Sequence, residues 1–151
     1  MSTVILLDAG PLGLVTNPRG AQDALNCRIW LESLLLKGIK VKVPAIADYE
    51  VRRSLLLYNK TSGIQSLNEW RTRIGYIPVT SDAWLEAARL WAQVRKQGLP
   101  TADNKTLDGD VILAAQARMI ERDGYEVIVA TMNVRHLSRL VVAREWRDIL
   151  C

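Results

Sequence analysis

The sequence predicts an α/β fold, a parallel sheet with helices on both faces, and three observations carry that prediction. Short apolar runs alternate with longer amphipathic stretches along the chain. Two of the runs, Val4-Ile5-Leu6-Leu7 and Val127-Ile128-Val129-Ala130, are hydrophobic at every position, the pattern of a strand buried on both faces rather than one. Glycines and prolines fall between the segments, at Gly38, Pro44, Gly75 and Gly98. Strands alternating with helices pack as a sheet with crossover helices.

The elements follow in order. Residues 3–7 read as the first strand. Residues 22–37 read as a helix with Leu25, Ile29, Trp30, Leu34 and Leu35 at helical spacing, stopped by Gly38. Residues 39–43 alternate and form a short second strand, and Pro44 suits the first turn of a helix running to about Lys60. A further helix spans 62–74. Tyr76-Ile77-Pro78-Val79 is a weaker third strand whose proline argues for an edge. Ser81 or Asp82 caps a helix over 82–97 that places Trp84, Ala88, Trp91 and Val94 on one face, and Gly98-Leu99-Pro100 ends it. Residues 100–109 read as a polar loop, 110–122 as a helix, and Glu126 to Ala130 as the fourth strand. The tail 136–150 reads as a helix with Leu137, Leu140, Val141 and Trp146 inward.

With 151 residues and no repeat or linker, residues 1–151 make a single domain large enough for a substantial core. Hydrophobic residues at 49% and charged residues at 24% fit a globule, not a disordered chain. The apolar runs are too short to cross a bilayer, so no membrane partner is expected, and a basic flank with a long apolar region is missing at the N-terminus. Cys27 and Cys151 form no zinc or disulfide pattern, which fits a cytoplasmic protein.

Four acids stand out. Asp8 ends the first apolar run, Glu50 lies in the helix after Pro44, and Asp108 and Asp110 precede Val111-Ile112-Leu113-Ala114-Ala115. A carboxylate at the end of a buried run is costly unless it is exposed, paired or bound to a metal. Acids converging from distant segments make a magnesium or manganese site. In open α/β sheets ligands bind beyond the carboxyl ends of the strands, the end to which Asp8 and Thr131 to Asn133 belong. Simpler roles exist for each. Asp8 suits the cap of a helix starting near Pro11, Glu50 an i,i+3 pair with Arg53, and Asp108 or Asp110 the cap of helix 110–122. Asp110 shares its helix face with Leu113, Ala114 and Ala117 and has no basic neighbour in sequence, so its counter-charge comes from elsewhere, a cation included. Net charge is +4; with the four acids set apart, 20 basic residues face 12 acidic ones, an excess of +8 that suits a polyanion as well as it suits solubility.

Other residues carry less. His136 is the lone histidine and Ser138 lacks a nucleophile elbow, so a triad is not expected. The tryptophans read as packing or dimer-contact residues. Arg52 and Arg53, beside Glu50, are phosphate-contact candidates. A dinucleotide site would need G-x-G-x-x-G after the first strand, which Asp8-Ala9-Gly10-Pro11-Leu12-Gly13 lacks. A haloacid-dehalogenase-like phosphatase would need an acid where Gly10 stands, and the receiver-domain pattern is absent.

Leu6-Leu7-Asp8-Ala9-Gly10-Pro11-Leu12, Glu50, Asp110-Val111-Ile112-Leu113-Ala114-Ala115 and Thr131-Met132-Asn133-Val134-Arg135 resemble, in this order, the successive motifs of PIN domains, and most closely those of VapC-type toxin ribonucleases. The resemblance implies a Rossmann-like α/β/α sandwich, usually a homodimer, that hydrolyses RNA with magnesium or manganese to leave 5′-phosphate and 3′-hydroxyl ends. It also implies a cognate antitoxin as partner. Asp8, Glu50 and Asp110 match the family's catalytic and metal-binding acids, with Thr131 and Asn133 in support. Asn133 stands where relatives often carry Asp, a departure that Asp108 offsets as a metal ligand. His136 is a second departure, and the segment between Asp110 and Asn133 is slightly long. A binding-only PIN domain, holding RNA or protein without cutting, is the alternative.

Overall fold

The computed structural model describes residues 2–17, 20–98 and 104–150, with the side chains of residues 104 and 105 left out. The order is β1 (Thr3–Leu7), α1 (Ala9–Thr16), α2 (Gln22–Leu36), β2 (Lys40–Pro44), α3 (Ala45–Leu57), α4 (Thr61–Ile74), β3 (Tyr76–Ile77), α5 (Ser81–Gln97), α6 (Asn104–Arg122), β4 (Glu126–Thr131), α7 (Val134–Leu137) and β5 (Ala143–Glu145), followed by a 3-10 turn, Trp146–Asp148. Every strand pair is parallel, in the order β3-β2-β1-β4-β5. The expected α/β class and parallel sheet are therefore present.

β1 is central because it is apolar on both faces. Ile5 and Leu7 join Val41, Val43 and Ala130 in a core covered by α1 to α4, while Val4 and Leu6 join Val127, Val129, Leu113 and Ala117 beneath α6 and α7. α5 packs on α6 in a third cluster through Ala83, Ala87, Leu90 and Val94. The chain fills one side of β1 with β2 and β3, then crosses to the other with β4 and β5. The strand order reverses between β1 and β4, the place where such sheets open a crevice at their carboxyl ends.

Several elements depart from the sequence expectations. The inward face of α5 carries Ala83, Ala87, Leu90 and Val94; Trp84 and Trp91 lie on the outside, 53% and 37% exposed. Thr80, not Ser81 or Asp82, caps this helix, accepting from the Ala83 N–H at 3.1 Å. In α2 the buried stripe is Ala24, Cys27, Leu31 and Leu34, which leaves Leu25 and Ile29 exposed. α6 begins at Asn104, so residues 104–109 are helical rather than loop. The expected loop before them and the Leu99-Pro100 helix stop lie outside the described residues, as does Cys151. The tail is not one helix. It makes a single turn, then β5, which pairs Val129, Ala130 and Thr131 with Ala143, Arg144 and Glu145, and its inward residues Leu137, Leu140 and Trp146 are nonetheless buried. Among the tryptophans, Trp70 and Trp146 are buried and Trp30 packs at a tilt of 57° against Trp146 with ring centroids 5.6 Å apart. Among the described residues no helix is long and apolar enough to cross a membrane.

Candidate active site

Asp8 stands at the switch point. Its N–H donates to the Ala130 carbonyl at 2.9 Å and so extends the β1–β4 ladder by one residue. Both carboxylate oxygens are held: Oδ1 accepts from the Ala9 N–H at 2.7 Å, capping α1, and Oδ2 accepts from the Thr131 hydroxyl at 2.7 Å. The Thr131 oxygen in turn accepts from the Asn133 N–H at 2.9 Å. Thr131 is fully buried at the end of β4 and fixes Asp8 from the neighbouring strand. The capping role expected for Asp8 is real, with the helix starting at Ala9, and it leaves the carboxylate at the site.

Glu50 reaches the site from α3 and Asp110 from α6. A Cβ placed on Gly109 would come within 3.2 Å of Glu50 Oε2, so the Glu50 carboxylate lies against α6 one residue before Asp110. The three acids act on one another. Burial raises the pKa of Asp8 while its two hydrogen bonds oppose the rise. Burial and then the Asp8 charge raise that of Glu50, with Arg53 opposing. Burial, Asp8 and Glu50 together push Asp110 up to about 7, and Arg139 opposes them. Mutual destabilisation of partly buried carboxylates is the arrangement that a positive charge relieves.

Asp108 is not part of this group. Two helical residues from Asp110, it points roughly 200° away around α6 and lines an apolar groove of about 420 Å³ with Trp84 and Trp91. Its exposure on that face removes the expected offset for Asn133. Because α6 starts before it, neither Asp108 nor Asp110 caps the helix. Asn133 follows β4 as expected, bound to the site through its backbone. The Glu50–Arg53 pair is replaced by stacking, with the Arg53 guanidinium 5.1 Å from the centre of the Tyr49 ring, although its charge still favours ionised Glu50. Arg52 is engaged elsewhere, in a fork on Asp48 at 2.9 and 3.0 Å and a bond to Asn68 at 2.8 Å.

Three contributors escaped the sequence reading. Gly109 lets α6 approach Glu50. Arg139, from the segment after α7, is the cation that acts on Asp110; its guanidinium is positioned by the His136 carbonyl at 3.3 Å and ring Nδ1 at 3.2 Å, which gives the lone histidine a structural role. Gln116, fully buried on α6, accepts from the Ile46 N–H at 3.3 Å and donates to the Ile77 and Pro78 carbonyls at 2.7 and 3.2 Å. It thereby ties the start of α3, and so Glu50, to the helix that bears Asp110. The signal for Gln116 was available: it is an amide inside the apolar run from Val111 to Ala117. Arg139 had none.

The donor chemistry of Asp8, Glu50 and Asp110 is that of hard carboxylate oxygens, which suits magnesium or manganese and not a soft metal. Among the described residues no group of three or more His, Cys, Asp or Glu side chains is placed so as to hold a metal ion.

No family model and no curated protein matches the sequence. Solved structures do. A chain of VapBC2 from Rickettsia felis, bound to a DNA fragment from their promoter, aligns with a TM-score of 0.71 and 16% identity over 95% of this chain and 98% of that one. FitAcB from Neisseria gonorrhoeae aligns with a TM-score of 0.68 and 20% identity, covering 96% and 99%. VapBC-5 from Mycobacterium tuberculosis, a member of the VapBC family of toxin-antitoxin systems, gives a TM-score of 0.54 and 18% identity, covering 94% and 96%. At such identities the likeness is one of fold, and the fold is the VapC-like PIN fold that the motifs led us to expect.

Proposed function

We propose that the protein is a magnesium- or manganese-dependent endoribonuclease. The observation that carries the proposal is the convergence of Asp8, Glu50 and Asp110 near the switch point, where Asp8 raises the cost of ionising Glu50 and both raise that of Asp110. Three carboxylates alone would repel a phosphodiester. A divalent ion held by them would supply positive charge for the transition state and a water of lowered pKa.

The chain's own contributions follow from its hydrogen bonds and charges. Asp8 is the best-fixed ligand, since Ala9 and Thr131 hold both oxygens without consuming all their lone pairs. Glu50 and Asp110 come from separate helices whose spacing Gln116 sets. Arg53 and Arg139 supply positive charge beside the acids and suit the phosphate on either side of the scissile bond. The resemblance of the motifs implies in-line attack by water with the 3′ oxygen as leaving group, which would give a 5′-phosphate and a 3′-hydroxyl.

The motif resemblance adds a homodimer to the proposal, and the VapBC likeness adds a cognate antitoxin of the kind named for the Mycobacterium tuberculosis system. A binding-only domain is the second reading, favoured by the neutral Asn133 together with the turning away of Asp108.

The test is cleavage of labelled single-stranded and structured RNAs with Mn²⁺, Mg²⁺ or EDTA, comparing the wild type with Asp8→Asn. Cutting that needs the metal and vanishes in the variant is expected. Cutting that survives both EDTA and Asp8→Asn would place catalysis elsewhere. Folded protein that binds these RNAs but never cuts them would favour the binding-only reading.

A further inference from the structure

A second polar feature lies on the far side of α6 from α3. Glu86 of α5 is buried and holds three arginines: Arg89 forks onto it at 2.8 and 2.7 Å, Arg118 reaches it at 3.2 Å and Arg122 at 3.4 Å. These side chains, with Ser138 and Arg139, line a cleft of about 830 Å³ that runs beneath the segment from Leu140 to Ala143. Arg118 also donates twice to the Leu140 carbonyl, at 3.2 and 2.9 Å, which fixes that wall.

Arg89 lies on α5 with Glu86 and satisfies it in bidentate geometry within that helix, while Arg118 and Arg122 reach it from α6. One of these two would fasten α5 to α6, so the cluster holds more guanidinium charge than Glu86 neutralises. Four guanidinium groups face two carboxylates, Glu86 and Glu121, so the cleft keeps an excess of two positive charges. The guanidinium groups are pre-oriented by their bonds yet remain partly open to solvent, at 55% for Arg89 and 60% for Arg122. The lining contains no aromatic side chain on which a base could stack. Such a surface recognises phosphate and not base identity. Arg139 lines this cleft and its charge also acts on Asp110, and that shared side chain is the continuity between the two features.

We propose that the arginine cleft between α5, α6 and the segment before β5 holds the sugar-phosphate backbone of the RNA strand that flanks the bond presented to Asp8, Glu50 and Asp110. The proposal deepens the nuclease reading and rests on it for the identity of the polyanion. Continuity with the acidic site favours RNA over an acidic peptide, which would have no reason to follow the cleft towards Asp110.

The experiment is fluorescence-anisotropy titration of full-length protein with a labelled oligouridine in EDTA over a series of KCl concentrations. The wild type is compared with Arg89→Gln, Arg122→Gln, the double variant, Arg122→Lys and Glu121→Gln. Each glutamine variant should bind several-fold more weakly, and the slope of log K against log salt should shrink by about 0.7 for each phosphate of the single strand that is no longer neutralised. Arg122→Lys should recover part of the affinity. Glu121→Gln, which removes a negative charge without breaking the Glu86 cluster, should bind more tightly. Wild-type affinity and slope in a folded double variant, together with no gain in Glu121→Gln, would overturn the proposal, even if the protein cuts RNA with metal. Weakened binding in the arginine variants of a protein that never cuts would uphold the cleft and remove only the nuclease reading.

Discussion

Asp110 ionises against its surroundings, and the consequence is measurable without any substrate. Burial and the charges of Asp8 and Glu50 lift its pKa from the ordinary 3.8 to about 7. Between those values the folded chain keeps a proton that the unfolded chain releases. The stabilisation is therefore complete below about pH 4 and is lost as the pH rises through 7. Asp8 and Glu50 are shifted in the same direction. Denaturant melts in EDTA should show the wild type losing stability from pH 4 to 7, while Asp110→Asn loses distinctly less over the same interval. Parallel curves would mean that Asp110 is not in this electrostatic trap. Asp8 and Asp110 stand out in the sequence because each breaks an apolar context, Asp8 after a buried strand and Asp110 on a face with Leu113, Ala114 and Ala117, whereas Glu50 lies among polar residues and only the motif resemblance singles it out. Asp108 was misassigned because its side of the helix depends on where the helix begins. The counter-charge from Arg139 was illegible, since only the return of the chain through β4 and α7 brings it near.

At the scale of the element, α6 carries the site because it can come close to α3 at Gly109 and is held there by Gln116. Gly109→Ala separates the two demands. Alanine favours a helix interior by about 0.5–1 kcal/mol over glycine, but its Cβ would press on Glu50 Oε2 from 3.2 Å. The end of a glutamate side chain yields easily, so thermal stability should hold or rise slightly while metal-dependent cleavage falls. Unchanged cleavage would show that the placement of Glu50 tolerates the shift. Gln116→Leu tests the other tie. It strands the Ile46 N–H and the Ile77 carbonyl inside the protein, at a cost of about 1–3 kcal/mol for a buried polar group left unpaired. Denaturation should report that loss, and Gln116→Glu should not restore it, because a carboxylate cannot donate to Ile77. The same scale explains the misread helices. In α5 the tryptophans suggested the inward face by their size, yet the interface with α6 is lined by Ala83 and Ala87, whose small side chains let the helices approach, together with Leu90 and Val94. In α2 the buried stripe holds Ala24 and Cys27 and is offset from the larger Leu25 and Ile29 in the same way.

Across the whole molecule, the parallel sheet was legible because β1 and β4 are apolar on both faces, which only covered sheets require. The order of strands was not, since periodicity says nothing about which side of β1 a later strand joins. β5 was missed for a related reason: three residues, Ala143 to Glu145, pair with one neighbour and carry too short a pattern to separate from a helix. That tail nevertheless closes the core. Trp146 is 3% exposed, packs on Trp30 and belongs to the cluster beneath α1 to α4; it directly follows Glu145, which pairs with Thr131 at the carboxyl end of the sheet. Removing so buried a ring should cost about 3–5 kcal/mol as Trp146→Ala. Its indole Nε1 is buried without a hydrogen-bond partner among the described residues. Trp146→Phe should therefore cost much less, because it keeps most of the apolar packing and deletes the unpaired donor. Both variants should retain the wild-type cleavage rate per folded molecule well below their melting temperatures, whereas Asp8→Asn should keep its stability and lose cleavage. Denaturant melts paired with cleavage rates on the same preparations decide the matter. A Trp146→Phe variant that is stable but slow would show that the tail reaches the active site through the pairing of Glu145 with Thr131, and that packing and catalysis are not separable in this fold.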